Sequence, residues 1–258
     1  MGYKIVFFDI DGTLLDEDKK VPEDTRLAVA QLKANGIEPV IATGRAPYFF
    51  EPLARELGID SYVSLNGGYV VYRGKELYHR HIPVPVLERL VGLAAQSGHP
   101  LVYQGKSSYH TNSVEHAAVL AAIDSLKVFY PGGQSEFWRE ESIYQVFLHC
   151  RHGEEQPYLA ELPELRFIRW HEDAMDVLPL TGSKAEGIQV MLDTLGIPLE
   201  ESIAFGDGLN DKEMLELVGL GIAMGNSHQE LLPYADYVTA RADEGGIAAG
   251  LRYAGCLA

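Results

Sequence analysis

The sequence predicts an α/β protein with a doubly wound parallel sheet, interrupted by an inserted module of α+β character. Towards both ends of the chain, short apolar runs alternate with amphipathic helical stretches, which is the pattern of βαβ units. Several of these runs end in polar, Gly-containing turns, as buried strands do. Between about Pro83 and Pro179 the rhythm changes to a less regular stretch rich in Tyr and His. We therefore predict an inserted module there, with an antiparallel sheet.

The first part of the predicted core contains three strands, two helices and a hairpin. The first helix begins near Val21-Pro22 and ends at Asn35-Gly36, because Pro suits the first helical turn and Gly suits the position after the last. The second begins at Pro47 and ends at Gly58 by the same reasoning. Alternating residues on either side of Arg73-Gly74 predict a hairpin. The strands are predicted at 5–8, 40–42, 62–65, 69–72 and 76–79.

The predicted core resumes at Ser183 with a helix that ends at Gly196. A helix through Met214 and Leu217 follows, and the remaining predicted strands of the core lie at 203–205, 221–224 and 237–239. In the insert, helices are predicted at 85–96, 114–126 and 155–162, and strands at 101–104, 108–111, 143–150, 165–170 and 174–178. These boundaries give a core domain of residues 1–82 and 180–258 and an inserted domain of residues 83–179.

Length and composition exclude several classes of protein. The 258 residues are 47% hydrophobic, which is enough for a sizeable core. No apolar run approaches the roughly 20 residues of a membrane span, and no signal-peptide pattern precedes the first strand. Two cysteines, Cys150 and Cys256, make neither a disulfide framework nor a metal knuckle. We therefore expect a protein of the reducing cytoplasm.

The charge balance limits the partners. The formal net charge is −16, from 37 acidic and 21 basic residues, and such a surface repels nucleic acid phosphates and anionic lipids. We expect no nucleic acid or membrane partner, and either a monomer or a homodimer. A small anionic substrate is compatible with this charge if particular Lys and Arg residues are concentrated at its site.

Two carboxylates stand at the end of the first predicted strand, in the segment Asp9-Ile10-Asp11-Gly12-Thr13. Side chains two apart on an extended backbone point the same way, so Asp9 and Asp11 should project together from the end of the strand where open α/β sheets bind ligands. Solvent or a cation must relieve their repulsion. A solvated Asp-Gly turn is the simpler alternative. A calcium-binding EF-hand loop is excluded, because Leu14 occupies the position that requires Gly.

Polar clusters follow other predicted strands as well. They are Thr43-Gly44-Arg45, Asn66-Gly67-Gly68 and the segment from Asp207 to Asp211, and Lys184 begins a helix between the last two. The carboxyl ends of neighbouring strands in a doubly wound sheet line one crevice. Carboxylates without His or Cys beside them suit Mg²⁺. Cationic side chains, backbone amides of Gly-rich turns and a helix N-terminus suit a phosphoryl group.

Each of these residues also has a purely structural interpretation. Thr43 could cap the following helix, Arg45 could form a surface ion pair, and Asn66-Gly67-Gly68 could be only a turn. Lys184 is less easily explained in this way, because a cation at a helix N-terminus opposes the helix dipole. Histidines of the insert do not predict a zinc site, because no third ligand follows at usable spacing. The pairs in question are His79/His81 and His149/His152.

The motifs together resemble those of the haloacid dehalogenase (HAD) superfamily, specifically the Cof-like sugar-phosphate phosphatases with a type IIB cap. The D-x-D-G-T motif is Asp9 to Thr13, the hydroxyl motif is Thr43, the lysine motif is Lys184, and the G-D-x-x-N-D motif is Gly206 to Asp211. All four occur in the family's order, with an insert where the family carries its cap. The resemblance implies a Rossmann-like core and a cap that selects the substrate.

The resemblance also implies a reaction, the hydrolysis of a small phosphate monoester by a Mg²⁺-dependent phosphatase. Asp9 would be the nucleophile that forms an aspartyl-phosphate, and Asp11 would be the general acid and then the general base. Mg²⁺ would be held by the carboxylates of Asp9 and Asp207 and by the backbone carbonyl of Asp11. Phosphoryl oxygens would be bound by Thr43 and Lys184.

The remaining site residues take supporting roles in this scheme. Asn210 would donate a hydrogen bond to the phosphate, and Asp211 would orient Lys184 or a metal-bound water. Gly44, Arg45 and Asn66 would be further phosphate or substrate contacts.

Two other functions stay open at this level. A phosphomannomutase-like enzyme would form the same aspartyl-phosphate and pass it to another sugar hydroxyl. A non-catalytic metabolite-binding protein would keep the fold, although the presence of Asp9, Asp11, Lys184 and Asp207 disfavours it. Dehalogenase chemistry is disfavoured because those relatives lack the second Asp, which is Asp11 here.

Overall fold

A computed structural model describes residues 2–258, which form two compact units. The first contains the chain up to Arg45 together with Phe50–Tyr78 and Ser183–Ala258. The second contains Ala46–Phe49 and His79–Gly182. These divisions lie within a few residues of the sequence-based boundaries, except that residues 46–49 belong to the second unit rather than to the predicted core.

Short strands and α-helices make up the secondary structure of both units. The strands are β1 (Ile5–Phe8), β2 (Glu38–Ala42), β3 (Tyr62–Ser64), β4 (Tyr69–Tyr72), β5 (Lys75–His79), β6 (Leu101–Gln104), β7 (Tyr109–Thr111), β8 (Gly132–Gly133), β9 (Gln145–Leu148), β10 (Leu165–His171), β11 (Ala174–Pro179), β12 (Ser202–Gly206), β13 (Leu220–Ala223) and β14 (Tyr237–Val238). The α-helices are α1 (Glu23–Ala34), α2 (Pro47–Leu57), α3 (Val84–Ser97), α4 (Ala117–Leu126), α5 (Phe137–Glu140), α6 (Gln156–Glu161), α7 (Lys184–Leu195), α8 (Lys212–Leu217) and α9 (Gly246–Tyr253).

The sheet of the first unit has the strand order β14-β13-β12-β1-β2-β3-β4-β5. Strand β1 pairs in parallel with β12 on one side and with β2 on the other, so the N-terminal strand lies between two segments that are far apart in sequence. The chain progresses from β1 towards β3 in one direction and from β12 towards β14 in the other. The order of strands therefore reverses at β1, which is where doubly wound sheets place their ligand crevice.

Helices cover both faces of this sheet. Val6 and Phe8 of β1 belong to a core cluster with apolar residues of α1, α2 and α9. Ile5 and Phe7 point to the opposite face and belong to a cluster with residues of α7 and α8. Because β1 is buried on both faces, it is apolar at every position, as expected of a central parallel strand.

The second unit contains a six-stranded sheet in the order β10-β11-β9-β6-β7-β8. Its pairings are antiparallel, apart from the short parallel pair of β7 and β8. One face packs against α3, α5 and α6, and the other packs in part against α4 and the aromatic side chains of Tyr48 and Phe49. The predicted α/β class, with a mainly parallel core sheet and a second, mostly antiparallel sheet, is confirmed.

Three short or Gly-rich elements were not predicted from the sequence, namely β8, α5 and α9. In α9 the reason is physical, because Gly246 and Gly250 weaken the intrinsic helix propensity of an eight-residue segment. Both glycines are needed for close packing. A Cβ on Gly250 would lie 2.4 Å from the ring of Phe205, so the helix gains its stability from tertiary contacts. Among residues 2–258, no helix combines the length and the apolar character required to cross a bilayer.

His149, directly after β9, is a buried histidine of the second unit with only 2% of its surface exposed. Neither ring nitrogen makes a hydrogen bond of normal geometry with any described residue. Burial lowers the pKa of His149 to about 4, and the positive charge that His116 and His171 carry when protonated acts in the same direction. The folded protein therefore keeps this imidazole neutral at pH values where the unfolded chain would protonate it.

We predict that His149 makes the protein acid-sensitive between about pH 6.5 and pH 4. The contribution of the neutral His149 to the free energy of unfolding is fully present above the unfolded pKa of about 6.5. It is lost as the pH falls towards the folded pKa of about 4. Up to about 3 kcal/mol of unfolding free energy depends on this group, at about 1.4 kcal/mol per pKa unit. In the His149→Leu variant, the free energy of unfolding measured by urea denaturation should fall less steeply between about pH 6.5 and pH 4 than in the wild type.

The exposed His152 provides the control, because its side chain is 91% exposed. His152→Leu should leave the profile between pH 6.5 and 4 unchanged. If His149→Leu and the wild type lose stability equally over this range, the burial argument is wrong.

Candidate functional site

Asp9 follows the last residue of β1, at the point where the strand order reverses. Its backbone N–H donates to the carbonyl of Phe205 in β12 at 3.0 Å, so its main chain continues the sheet pairing. The carboxylate is largely buried, with 8% of the residue exposed. The sheet thus fixes Asp9 between the ends of β12 and β2.

Lys184 is the cation of a buried group of three charges. Its Nζ donates to Oδ1 of Asp9 and to Oδ1 of Asp211, both at 2.6 Å. The side chains of Lys184 and Asp211 are fully buried, and that of Asp9 is 11% exposed. A buried ammonium without partners would be very costly, so the two carboxylates are what allows Lys184 to lie there.

The position of Lys184 depends on the start of α7. Ser183 caps this helix, its hydroxyl oxygen accepting from the N–H of Glu186 at 3.2 Å. The turn after β3 approaches the same point so closely that a Cβ on Gly67 would lie 2.0 Å from the carbonyl oxygen of Ser183. Gly67 also has a φ of +88°, so this contact requires glycine. The Asn66-Gly67-Gly68 segment therefore helps to seat the helix that carries Lys184.

Asp211 organises the turn that follows β12. Its Oδ2 accepts from the backbone N–H groups of Asp207 at 2.9 Å and Gly208 at 3.0 Å, while its Oδ1 accepts from Lys184. Asp207 is held in addition by Thr13, whose hydroxyl donates to Oδ1 at 3.0 Å. The turn after β1 and the turn after β12 are therefore joined through a side chain.

Gly12 allows these two turns to lie side by side. It has a φ of +77°, and a Cβ at this position would lie 2.2 Å from Oδ2 of Asp207. Any other residue would displace the Asp207 carboxylate or strain the backbone. The Gly of the D-x-D-G-T segment is therefore required by close packing against a residue about 200 positions later.

The charges of this cluster shift one another's titration. Burial raises the pKa of Asp9 well above its usual range, Lys184 opposes this shift, and the neighbouring carboxylates of Asp211, Asp207 and Asp11 add to it. Burial, followed by the charge of Asp211, raises the pKa of Asp207 to about 7. Burial alone would lower the pKa of Lys184, but Asp211 and Asp9 together raise it above its usual value. The site therefore has a surplus of negative charge.

These residues fit a divalent cation. Asp9, Asp207 and Asp211 each offer a carboxylate oxygen within 4.8 Å of the others. When all three carboxylates are ionised, they and Lys184 sum to two negative charges in a largely buried place, which a doubly charged ion would balance. Among the described residues, Oδ2 of Asp9 and Oδ2 of Asp207 receive no hydrogen bond. A ligand set of oxygens alone, with no His or Cys, suits Mg²⁺.

Asp11 has different surroundings from Asp9. Arg45 donates to it through two nitrogens, Nε to Oδ2 and Nη2 to Oδ1, both at 2.8 Å, and Lys19 donates Nζ to Oδ1 at 2.6 Å. Burial would raise the pKa of Asp11, but Arg45 and then Lys19 outweigh it and hold the pKa below its usual value. Arg45 is thus a bidentate partner of Asp11, with only 17% of its side chain exposed, rather than a free surface cation.

The Thr43 segment is joined to the Asn66 turn. The carbonyl oxygen of Thr43 accepts from the N–H of Asn66 at 3.2 Å, and its hydroxyl oxygen accepts from the N–H of Arg45 at 3.1 Å. A Cβ on Gly44 would lie 3.0 Å from the side-chain nitrogen of Asn66, so the amide packs directly over this glycine. Asn210 lies in the short turn Leu209–Asp211 and makes no hydrogen bond with the other predicted site residues in the part of the chain that the structure describes.

Three residues that contact this cluster were not predicted from the sequence. Lys19 binds Asp11, Thr13 binds Asp207, and Asn226 donates its side-chain Nδ2 to the carbonyl of Gly12 at 2.8 Å. Thr13 lies inside the D-x-D-G-T motif, and its hydroxyl group was the one feature of the sequence that could have predicted a hydrogen bond there. Lys19 has an unusual φ of +62° that the sequence does not reveal, and Asn226 follows β13 in a Gly-Asn pair that resembles an ordinary turn.

Comparison with known proteins identifies the family. The profile of the haloacid dehalogenase-like hydrolases matches residues 6–251. The chain belongs to this family. The resemblance predicted from the four motifs is therefore confirmed, and so is the prediction of an enzyme of the HAD-like phosphatase class.

Individual relatives of this HAD-like hydrolase cover 98–100% of its length. YkrA of Bacillus subtilis (strain 168), named provisionally as a phosphatase, is 43% identical over 257 residues and all of both chains. A hypothetical protein of Geobacillus kaustophilus HTA426 is similar in structure, with a TM-score of 0.94 and 47% identity over 99% of this chain and 100% of that one. The HAD subclass IIB sugar phosphatase BT4131 has a TM-score of 0.88 and 30% identity, over 98% of this chain and 100% of its own.

We predict that a divalent cation stabilises the protein in a pH-dependent manner. The folded pKa of Asp207, about 7, exceeds the unfolded value of about 4. Its contribution to metal-free stability is therefore fully present below pH 4 and lost as the pH rises through 7. Mg²⁺ at about 100 times its Kd at pH 8 should raise the melting temperature by about 5–10 °C at pH 8, and the same Mg²⁺ concentration should raise it by much less at pH 5.

In the Asp207→Asn variant, the Mg²⁺-induced shift in melting temperature should be the same at pH 5 and pH 8. Asp193→Asn, which changes an exposed carboxylate of α7, should keep it. A Mg²⁺-induced shift of equal size at pH 5 and pH 8 in the wild type would contradict the prediction.

Proposed function

We propose that this protein is a Mg²⁺-dependent phosphatase that hydrolyses a phosphate monoester of a small metabolite through an aspartyl-phosphate on Asp9. The observation that carries the proposal is the state of the Asp9 carboxylate, which Lys184 fixes through Oδ1 while Oδ2 makes no hydrogen bond among the described residues. A carboxylate held in one orientation beside Asp207 and Asp211 can present an oxygen to phosphorus. Sugar phosphates are the favoured substrate class, supported by the similarity to the sugar phosphatase BT4131.

In the first proposed step, an oxygen of Asp9 attacks phosphorus and the bond to the leaving alkoxide breaks. Asp11 donates a proton to that oxygen, so an alcohol leaves and Asp9 carries the phosphoryl group. In the second step, water attacks the phosphorus, gives its proton to Asp11 and releases inorganic phosphate. Asp9 is restored as a carboxylate and Asp11 as the acid.

The ion pair with Arg45 and Lys19 sets a requirement for the acid role of Asp11. In the structure these cations hold the pKa of Asp11 low, so the carboxyl group is ionised and is a poor proton donor. We propose that Arg45 also contacts the substrate, as the family resemblance implies. A phosphoryl group that draws the guanidinium away would raise the pKa of Asp11 and favour the proton it needs.

The remaining residues bind and orient the phosphoryl group in this proposal. Thr43, Gly44, Asn66 and Asn210 would supply hydrogen-bond donors, and Lys184 would supply positive charge, while Asp211 keeps Lys184 in place. Mg²⁺, held by the carboxylates of Asp9 and Asp207 and the backbone carbonyl of Asp11, would stabilise negative charge on the phosphoryl oxygens. We further propose a cytoplasmic protein that is a monomer or homodimer.

We propose that the inserted domain, residues 83–179, selects the substrate. One face of its sheet carries Gln104, whose directly paired neighbours are Tyr109 and Gln145. Gln104 is fully buried, and neither atom of its amide group has a hydrogen-bond partner among the described residues. The hydroxyl of Tyr109 is likewise unpartnered. Such groups cost about 1–3 kcal/mol each, and a hydroxyl-rich ligand would satisfy them.

The nucleophile is tested by Asp9→Asn. We expect hydrolysis of p-nitrophenyl phosphate in the presence of Mg²⁺ to fall by at least about 10³-fold, because the amide cannot form the aspartyl-phosphate. Asp11→Asn should lower the rate by about 10²–10⁴-fold through loss of proton transfer. Steady-state release of p-nitrophenol measures both.

Asp18→Asn is the control for these variants, because it changes an exposed carboxylate in the same loop. It should retain the wild-type rate. Full activity of Asp9→Asn would exclude Asp9 as the nucleophile, and inactivity of the wild type on a broad panel of phosphate monoesters would exclude the proposed reaction.

Gln104→Leu tests the substrate class. We expect kcat/KM for hexose phosphates to fall about tenfold or more, because a lost hydrogen bond of about 1.4 kcal/mol corresponds to a factor of ten. The value for p-nitrophenyl phosphate, whose leaving group has no further hydroxyls, should not change. The melting temperature should be equal or higher, because an unsatisfied buried amide is removed.

Gln134→Leu is the matched change in the same unit, at a half-buried glutamine whose side-chain nitrogen donates to Glu140. It should leave kcat/KM unchanged for both hexose phosphates and p-nitrophenyl phosphate. If Gln104→Leu changes the two kcat/KM values equally, Gln104 does not form hydrogen bonds with the hydroxyl groups of the substrate.

A further inference from the structure

Asn226, in the turn after β13, uses both ends of its side chain on backbone groups from two other segments. Its Nδ2 donates to the carbonyl oxygen of Gly12 at 2.8 Å. Its Oδ1 accepts from the N–H of Ala242 at 2.9 Å. A carbonyl can only accept and an N–H can only donate, so these partners fix the orientation of the amide.

The turn that contains Asn226 is itself fixed to the end of β12. The N–H of Met224 donates to the carbonyl of Gly206 at 3.0 Å, and the N–H of His228 donates to the carbonyl of Asp207 at 3.1 Å. Asn226 therefore stands on a turn that is bound to the main chain of Asp207. Through its side chain, this turn reaches back to Gly12.

The bond from Asn226 to Gly12 acts in parallel with the bond from Thr13 to Asp207. Thr13 holds the Asp207 carboxylate directly, whereas Asn226 holds the backbone of the turn between Asp11 and Thr13. Gly12 has no side chain of its own and lies so close to Asp207 that a Cβ would be 2.2 Å from Oδ2. With φ at +77°, Gly12 also has the left-handed backbone conformation that glycine adopts readily.

We infer that Asn226 is a positioning residue for the cation site. Its hydrogen bond to Gly12 sets the distance between the Asp9–Gly12 segment and Asp207, and thereby the affinity for Mg²⁺. The inference rests on the proposed function, in which Asp9, Asp207 and the carbonyl of Asp11 hold the ion. Outer partners that orient metal ligands typically change affinity by about 10–100-fold when they are removed.

The test measures Mg²⁺ binding by titration calorimetry of the full-length protein without substrate, so its readout does not depend on catalysis. Asn226→Ala should raise the Kd for Mg²⁺ by about tenfold or more. In assays with p-nitrophenyl phosphate, the Mg²⁺ concentration for half-maximal activity should rise by a similar factor, while kcat at saturating Mg²⁺ should change much less.

Asn226→Asp separates geometry from charge. This variant keeps the oxygen that accepts from Ala242 but replaces the donor to Gly12 by a carboxylate oxygen, which the Gly12 carbonyl repels. If geometry controls the site, Mg²⁺ binding weakens although a negative charge has been added. If only charge matters, binding tightens, and that result would overturn the inference.

Asn35 offers a matched control in the same unit. Its Nδ2 also donates to a distant backbone carbonyl, that of Cys256, at 2.8 Å. Asn35→Ala should lower the melting temperature of the metal-free protein about as much as Asn226→Ala, and should leave the Kd for Mg²⁺ unchanged. Equal Mg²⁺ affinity in Asn226→Ala and wild type would refute the positioning role, as would an equal loss in Asn35→Ala. Absence of Mg²⁺ binding by the wild type would instead refute the proposed function.

If Asn226→Ala does not fold, Asn226→Ser is the substitute. Its shorter side chain loses the hydrogen bond to Gly12 but remains small and polar. The expected rise in the Kd for Mg²⁺ is the same, and wild-type affinity in this variant would overturn the inference.

Discussion

The buried ammonium of Lys184 is the constraint on which the rest of the first unit depends. It requires two carboxylates within hydrogen-bond distance, and these come from the end of β1 and from the turn after β12. A buried ion pair that loses one partner destabilises a protein by about 3–5 kcal/mol. The three charges therefore lock helix α7, strand β1 and the turn after β12 into one arrangement. The tight contact of Gly67 with Ser183 and the capping of α7 follow from the same requirement, because both place the start of the helix.

Asp9 and Asp11 are two residues apart, yet their environments are opposite. Asp9 lies among carboxylates in a buried place, which raises its pKa, whereas Asp11 lies between Arg45 and Lys19, which lower its pKa. The proposed reaction needs the reverse, an ionised Asp9 and a protonated Asp11. A cation beside Asp9 would lower the pKa of Asp9. A phosphoryl group that competes for Arg45 would raise the pKa of Asp11. Binding, rather than the protein alone, would therefore set the reactive protonation states.

Much of the core and of the candidate site could be predicted because both depend on local pattern. The apolar run of β1 followed by Asp9 and Asp11, and the polar turns after β2, β3 and β12, are visible as short segments, and sheet topology brings such strand ends together. Helix α9 could not be predicted, because its glycines are explained only by the ring of Phe205 against which one of them packs. Lys19 and Asn226 could not be predicted either. Their roles depend on a left-handed backbone conformation and on hydrogen bonds between segments more than 200 residues apart, and neither leaves a periodic signal.

The position of β1 has a consequence for how the chain is made. Its neighbour β12 pairs Ser202 with Ile5, so one side of the central strand stays unpaired until about 200 residues have been synthesised. At about 5–20 residues per second, that delay is about 10–40 s on the ribosome. The strands β6 to β11, in contrast, pair only with one another and are contiguous in sequence. The inserted sheet can therefore form early during translation. The apolar strand β1, directly before the proposed nucleophile, must meanwhile be kept from aggregation until its partner emerges.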